Sequence, residues 1–133
     1  MITVRIFLRL SPDTRIGLGK IQLLEAINAA GSISAAARTL KMSFRRAWEL
    51  LDHMNKAFGR PVVTGHVGSA GGSELTELGR DVIRRYRQIE AETLALAAPH
   101  LAALDAARAA DKAGGETGLR RAPLVVRPET RAP

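Results

Sequence analysis

Apolar and polar residues alternate along the first ten positions. Ile2, Val4, Ile6, Leu8 and Leu10 are separated by Thr3, Arg5, Phe7 and Arg9, and a period of two predicts a half-buried strand. Ser11-Pro12-Asp13 carries the turn chemistry that ends it. From Leu18 to Ala30 the period changes. Ile21, Leu24 and Ile27 recur at helical spacing, and Gly31 is a stop. Ser32 and Ser34 are alternative N-caps for a short second helix, Ala35 to Leu40. Lys41-Met42-Ser43 forms a tight connection, and Ser43 caps a third helix running to about Phe58. Gly59-Arg60-Pro61 ends that helix.

Val62-Val63-Thr64 predicts a small strand, Gly65 to Ser73 a glycine-rich hairpin tip, and Glu74-Leu75 the returning strand. The first strand is able to pair with this wing. Thr76 with Gly79 opens a long helix containing Leu78, Val82, Ile83, Tyr86, Ile89, Leu94 and Leu96. Pro99 lacks an amide donor and is expected to end or kink it. His100 to Ala110 is again helix-like. Beyond it, Gly114-Gly115, three prolines and scattered charges predict a disordered tail. The fold class is therefore mainly α: a winged helix-turn-helix with a small β wing and a long C-terminal dimerisation helix. The expected organisation is a DNA-binding domain over 1–75, a helical dimerisation segment over 76–110 and a tail over 111–133.

Two helices meeting steeply through a short turn need a small residue at the crossing. Ala37 meets that need, with Ala35 and Ala36 beside it. Ala36, Leu40, Met42, Ala47 and Leu50 supply apolar residues on both sides of the turn. The turn needs a left-handed residue, usually glycine. Here Lys41 stands there, at a cost of roughly 1 kcal/mol, and brings a positive charge to where a phosphate would lie. On a wheel of 100° per residue, Ala47, Leu51, Met54 and Phe58 fall within ~60° and form the buried stripe of the third helix. Arg45, Glu49, Asp52 and Lys56 lie opposite, with Arg46 and Trp48 at the borders.

The N-terminal half of such a helix is the part that enters a major groove. That half carries Ser43, Phe44, Arg45, Arg46, Trp48 and Glu49. Arg45 or Arg46 is suited to a guanine edge or to a phosphate; alone, an arginine pair is a solvated face. Ser43 stands where helix amides take a phosphate. Ser32, Ser34 and Lys41 complete the expected contacts on this side. Trp48 is either a packing residue or a base reader. Phe44 either joins the reading face or covers the first helix. Glu49 either accepts from cytosine or pairs with its arginine neighbours. In the wing, His66 is a phosphate donor if the hairpin tip lies along the duplex.

Net charge is +7, which suits a polyanionic partner without dictating a fold. There is no cysteine, which removes disulfides, thiolate metal sites and thiol nucleophiles together. No run of about eighteen apolar residues exists, and MITVRIFLRL, interrupted by Arg5 and Arg9, is not a signal peptide. A cytoplasmic location is expected. His53, His66 and His100 lack ligand spacing, so no metal site is expected, and no catalytic constellation supports an enzyme. GHVGSAGG lacks the Lys-Ser/Thr pair of a nucleotide-binding loop. The stripe Ile83, Tyr86, Ile89, Leu94, Leu96 and Leu101 exceeds what one small domain covers. It predicts a homodimer that spaces two reading helices about one DNA turn (~34 Å) apart.

The run GSISAAARTLKMSFRRAWELLDHMNKAFGRPVV, the glycine-rich wing and LTELGRDVIRRYR resemble the N-terminal domain of ModE-type molybdate-responsive transcription regulators. LGKIQLLEAI resembles that family's first helix, and the resemblance covers roughly residues 1 to 95. A LysR-type winged helix is similar at greater distance. The resemblance implies a dimeric reader of double-stranded DNA at promoters, often of molybdate uptake or molybdoenzyme genes. It places Phe44, Arg45 and Trp48 on the DNA-reading helix. Two departures stand out. The wing has no Lys, and only a short tail follows the long helix where the family carries two oxyanion-binding domains. No molybdate site, and no other cofactor, is therefore expected in this chain.

Overall fold

The computed structural model describes residues 1–65 and 72–113. It contains β1 (Leu8–Ser11), β2 (Thr14–Ile16), α1 (Leu18–Ala30), α2 (Ile33–Thr39), α3 (Phe44–Phe58), β3 (Val63–Gly65), β4 (Ser73–Leu75) and α4 (Glu77–Ala113). Residues 3–97 form one compact unit. Met1–Ile2 and the chain from Ala98 form a second.

In the first unit, α1 and α3 follow the expected ranges, and each ends on a left-handed glycine. Gly31 has φ 77° and Gly59 φ 74°. At these C-caps glycine carries no Cβ penalty. The core gathers Ile16 from β2, Ile21, Leu23, Leu24 and Ile27 from α1, Ala36 and Ala37 from α2, Ala47, Leu51 and Met54 from α3, then Val62, Leu75, Val82 and Tyr86. Leu40, Met42, Leu50 and Phe58 pack against it half-buried. The stripe on α3 is thus the one its periodicity predicts.

The N-terminal strand differs from expectation. Ser11-Pro12-Asp13 does not merely end a strand; it reverses the chain into β2, and Leu8 pairs with Ile16 antiparallel. The partner of β1 is this hairpin arm, not the wing, which forms its own two-stranded sheet of β3 and β4. Residues 3–7 keep the alternation of exposed and half-buried side chains without a ladder. Their antiparallel partner would have to follow Ile16, and there the chain turns into α1.

The wing is anchored at both ends. Ser73 N donates to Gly31 O at 2.8 Å, and Thr76 N to Val62 O at 2.9 Å. Thr76 Oγ1 accepts from Gly79 N at 3.0 Å and donates to Pro61 O at 2.9 Å, so one side chain caps α4 and ties it to the end of α3. Gly79 sits against this junction so closely that a Cβ would lie 2.2 Å from Val62 O. Val62 N in turn donates to Asn55 Oδ1 at 2.9 Å.

Two expectations for the long helix are corrected. It does not end at Pro99, which lies inside α4. Tyr86 does not belong to a partner-facing stripe: it is 1% exposed, and its hydroxyl donates to Ile6 O at 3.0 Å. Ile83 likewise packs half-buried on the core. Both turn inward because α1 and the N-terminal segment cover this side of α4. There Arg87 holds Glu25 of α1 through two hydrogen bonds of 3.0 and 2.9 Å, and Glu90 through one of 2.8 Å. These carboxylates push the Arg87 guanidinium above its ordinary range. Ile89, Leu94 and Leu96 are exposed.

In the second unit, Ile2 N donates to Asp105 Oδ2 at 3.2 Å, and Arg108 pairs with Asp105 at 2.7 Å. Leu101 is half-buried and Leu104 exposed.

Candidate nucleic-acid interface

The segment from Ser32 to Phe58 folds as two helices joined by a turn of a few residues. Ser32, not Ser34, is the cap of α2: its Oγ accepts from Ala35 N at 3.0 Å, which starts the helix at Ile33 and leaves Ser34 exposed. The crossing point is alanine, with Ala36 and Ala37 buried. Leu40 N donates to Ala36 O, Lys41 N to Arg38 O and Met42 N to Ala37 O at 2.9–3.1 Å. This closure needs one left-handed residue, and Lys41 supplies it at φ 57°. Ser43 Oγ then accepts from Arg46 N at 3.0 Å and opens α3.

The opposite side of α3 is open. The side chains of Arg45 and Arg46 are 89% and 56% exposed, and Glu49 lies within 3.8 and 3.6 Å of them. Surface pairs of this kind hold roughly 0–1 kcal/mol, so they orient the guanidinium groups without consuming them. Phe44 and Trp48 are about half exposed and meet edge-to-face with ring centroids 6.4 Å apart. Neither is a core residue. Lys41, in the turn, is exposed as well. The first turn of α3 holds two arginines and no acid, the reverse of what the helix dipole favours. Cations placed there weaken the helix slightly and raise the positive potential an anion would meet.

The structure adds residues that the sequence reading passed over. A groove of about 540 Å³ runs along the N-terminal hairpin, the start of α1 and the first turn of α3, and Arg5, Arg15, Lys20 and Arg46 all line it. Lys20 Nζ donates to Arg15 O at 2.7 Å. Burial first, and then Arg46 and Arg15, push the Lys20 ammonium below its usual range. The available signal was the arginines at the polar positions of the period-two stretch. His66 lies outside the described residues. Among the described residues no cluster of His, Cys, Asp and Glu is fit to hold a metal, and no helix is long and apolar enough to cross a membrane.

No protein-family model matches the chain. Among curated proteins, the molybdenum transport protein ModE of Azotobacter vinelandii is 38% identical over 69% of this chain and 36% of its own length. The molybdenum-pterin-binding protein MopB of Rhodobacter capsulatus is 43% identical over 58% of this chain and 29% of its own. The transcriptional regulator ModE of Haemophilus influenzae is 34% identical over 53% and 29%. The matched part thus spans about a third of these relatives. A solved complex of the CbnR DNA-binding domain with DNA aligns at a TM-score of 0.47 and 26% identity, over 70% of this chain and 95% of that one. The helix-turn-helix and the wing form a winged helix arrangement, and over about a third of their length regulators named ModE are similar in sequence to this chain.

Proposed function

We propose that this chain is a DNA-binding transcription regulator, acting in the cytoplasm as a homodimer on a palindromic site. The observation that carries the reading is the open N-terminal half of α3. Arg45, Arg46, Phe44 and Trp48 are all exposed there, on a helix whose other face buries Ala47, Leu51 and Met54. Such a helix supplies arginine forks for guanine edges, apolar edges for thymine methyls and a capped first turn for a phosphate. Relatives bearing the name transcriptional regulator ModE support the same reading. The dimer rests on the exposed Ile89 and Leu96, which stand seven residues apart and so on one face of α4. Molybdenum is in the names of other relatives, and genes of molybdate handling are the natural first targets.

The test is selection of bound duplexes from a random pool, with and without molybdate. The expected result is one enriched palindrome, the same in both conditions, whose central preference weakens in Arg45→Ala and Arg46→Ala. Each arginine that reads a base should cost about 1–3 kcal/mol at one position. A pool that emerges without sequence preference would sink the reading.

A further inference from the structure

The groove beside α3 is built from three separate parts of the chain. Arg5 and Arg15 come from the N-terminal segment and β2, Lys20 from the first turn of α1, and Arg46 from the first turn of α3. No carboxylate pairs with Arg5, Arg15 or Lys20 among the described residues, although exposed acids such as Asp13 are near in sequence. The hairpin also holds its cations in place. Phe7, about half exposed, is in cation–π reach of two guanidinium groups: Arg15 sits 4.7 Å from the ring centroid and Arg9 5.6 Å. Arg9 further donates to Pro12 O at 3.2 Å. An aromatic residue left in solvent and approached by two arginines limits their rotamers, which lowers the entropy lost when they meet an anion. Of the four cations only Arg46 has a carboxylate beside it among the described residues, Glu49 at 3.6 Å, so the like charges repel in the free domain and are relieved by an anion among them.

We infer that the N-terminal segment, β2 and the first turn of α1 form a second DNA-contacting element, a clamp whose Arg5, Arg15 and Lys20 grip the sugar–phosphate backbone next to the groove that α3 reads. The inference rests on the proposed DNA reading. It differs in kind from the α3 contacts, since phosphates fix register and affinity while base edges carry the sequence. Arg46 belongs to both surfaces and makes them continuous. A duplex backbone is the occupant that fits, because the groove that these cations line includes Arg46 of the reading helix, and a strand bordering a major groove that α3 enters would pass beside that residue.

The test uses the whole chain and the duplex obtained by selection. The double variant R5A/R15A and its charge-keeping partner R5K/R15K are compared with the parent after circular dichroism shows all three folded. The salt dependence of log Kd should flatten by roughly two phosphate contacts per protomer, about 3.6 in slope for a dimer on its palindrome, for R5A/R15A and stay near the parent for R5K/R15K. The enriched motif should not change. Ethylation of backbone phosphates flanking the palindrome should interfere with binding of the parent and not of R5A/R15A. An unaltered slope and ethylation pattern in a folded R5A/R15A that still selects the same motif would overturn the clamp and leave the DNA reading standing. A parent that selects no duplex overturns both. A third arm titrates inorganic phosphate: if it raises the melting temperature of the parent and not of R5A/R15A while the ethylation pattern stays constant, the groove takes a free anion and the clamp is wrong.

Discussion

At the level of single residues, the most informative positions are those where the backbone leaves no choice. Ser32, Ser43 and Thr76 each accept an amide three residues ahead, and a serine or threonine before an apolar period is a signal that sequence carries openly. Lys41 was legible for the same reason: the turn demands a positive φ whoever occupies it. Gly79 was legible only in part. Its place in the first turn of α4 suggests a start, but its proximity to Val62 O is a tertiary fact. Gly79→Ala should therefore destabilise the domain by at least about 2 kcal/mol, because the neighbour is a backbone carbonyl already accepting from Thr76 N and cannot move freely. A urea titration measures this. A midpoint equal to the parent's would mean that the junction of β3 and α4 is soft. The contrast is Gly19, where a Cβ meets nothing within 4 Å; Gly19→Ala should be tolerated and is the control for a general glycine effect.

Among elements, helices were easier to read than strands. A helix of thirteen or fifteen residues repeats its period several times, so α1 and α3 stand out. β2 has three residues, too few for any period, and β1 could be recognised as half of a hairpin only through it. Pro99 is the opposite case, a local stop signal that α4 runs through. The N-terminal segment owes its position to a contact 80 residues away in sequence, from the Tyr86 hydroxyl to Ile6 O, and no local pattern announces that. Tyr86→Phe keeps the buried ring and removes the donor. It should lower stability by about 1 kcal/mol and should speed tryptic cleavage after Arg5, where the chain has no ladder to hold it. If cleavage at Arg5 stays as slow as in the parent, apolar packing of Val4 and Ile6 is what holds the segment, and the hydrogen bond is incidental. The outcome also bears on the clamp, since a loosened segment carries Arg5 with it.

For the molecule as a whole, the question is which apolar residues of α4 serve its own core and which serve another chain. Sequence periodicity cannot separate the two, because a helix packed on its domain and a helix packed on a partner show the same spacing. The division comes from α1, which reaches α4 through Glu25 and Arg87, and from the N-terminal segment, whose Ile6 O accepts from the Tyr86 hydroxyl. What remains outside on this stretch is Ile89, 40% exposed, Leu94, 39% exposed, and Leu96, 79% exposed. A leucine that open on a helix otherwise rich in charge loses the transfer free energy of its side chain, roughly 1.5–3 kcal/mol, unless something covers it. Two copies of the same face covering each other would satisfy both at once and produce the two-fold arrangement a palindrome requires. The variant I89E/L96E places like charges opposite one another across that axis without touching the core. In sedimentation the parent should run as a dimer and the variant as a monomer. The variant should keep its thermal unfolding in the monomer range and bind a half-site duplex as the parent does. Its affinity for the full palindrome should fall by about a hundredfold, because the second half-site is then bound without the high effective concentration a linked partner provides. A variant that remains dimeric places the interface elsewhere on the chain. One that becomes monomeric but keeps full affinity for the palindrome shows that the two half-sites are filled independently, and the homodimer would then have no part in reading DNA.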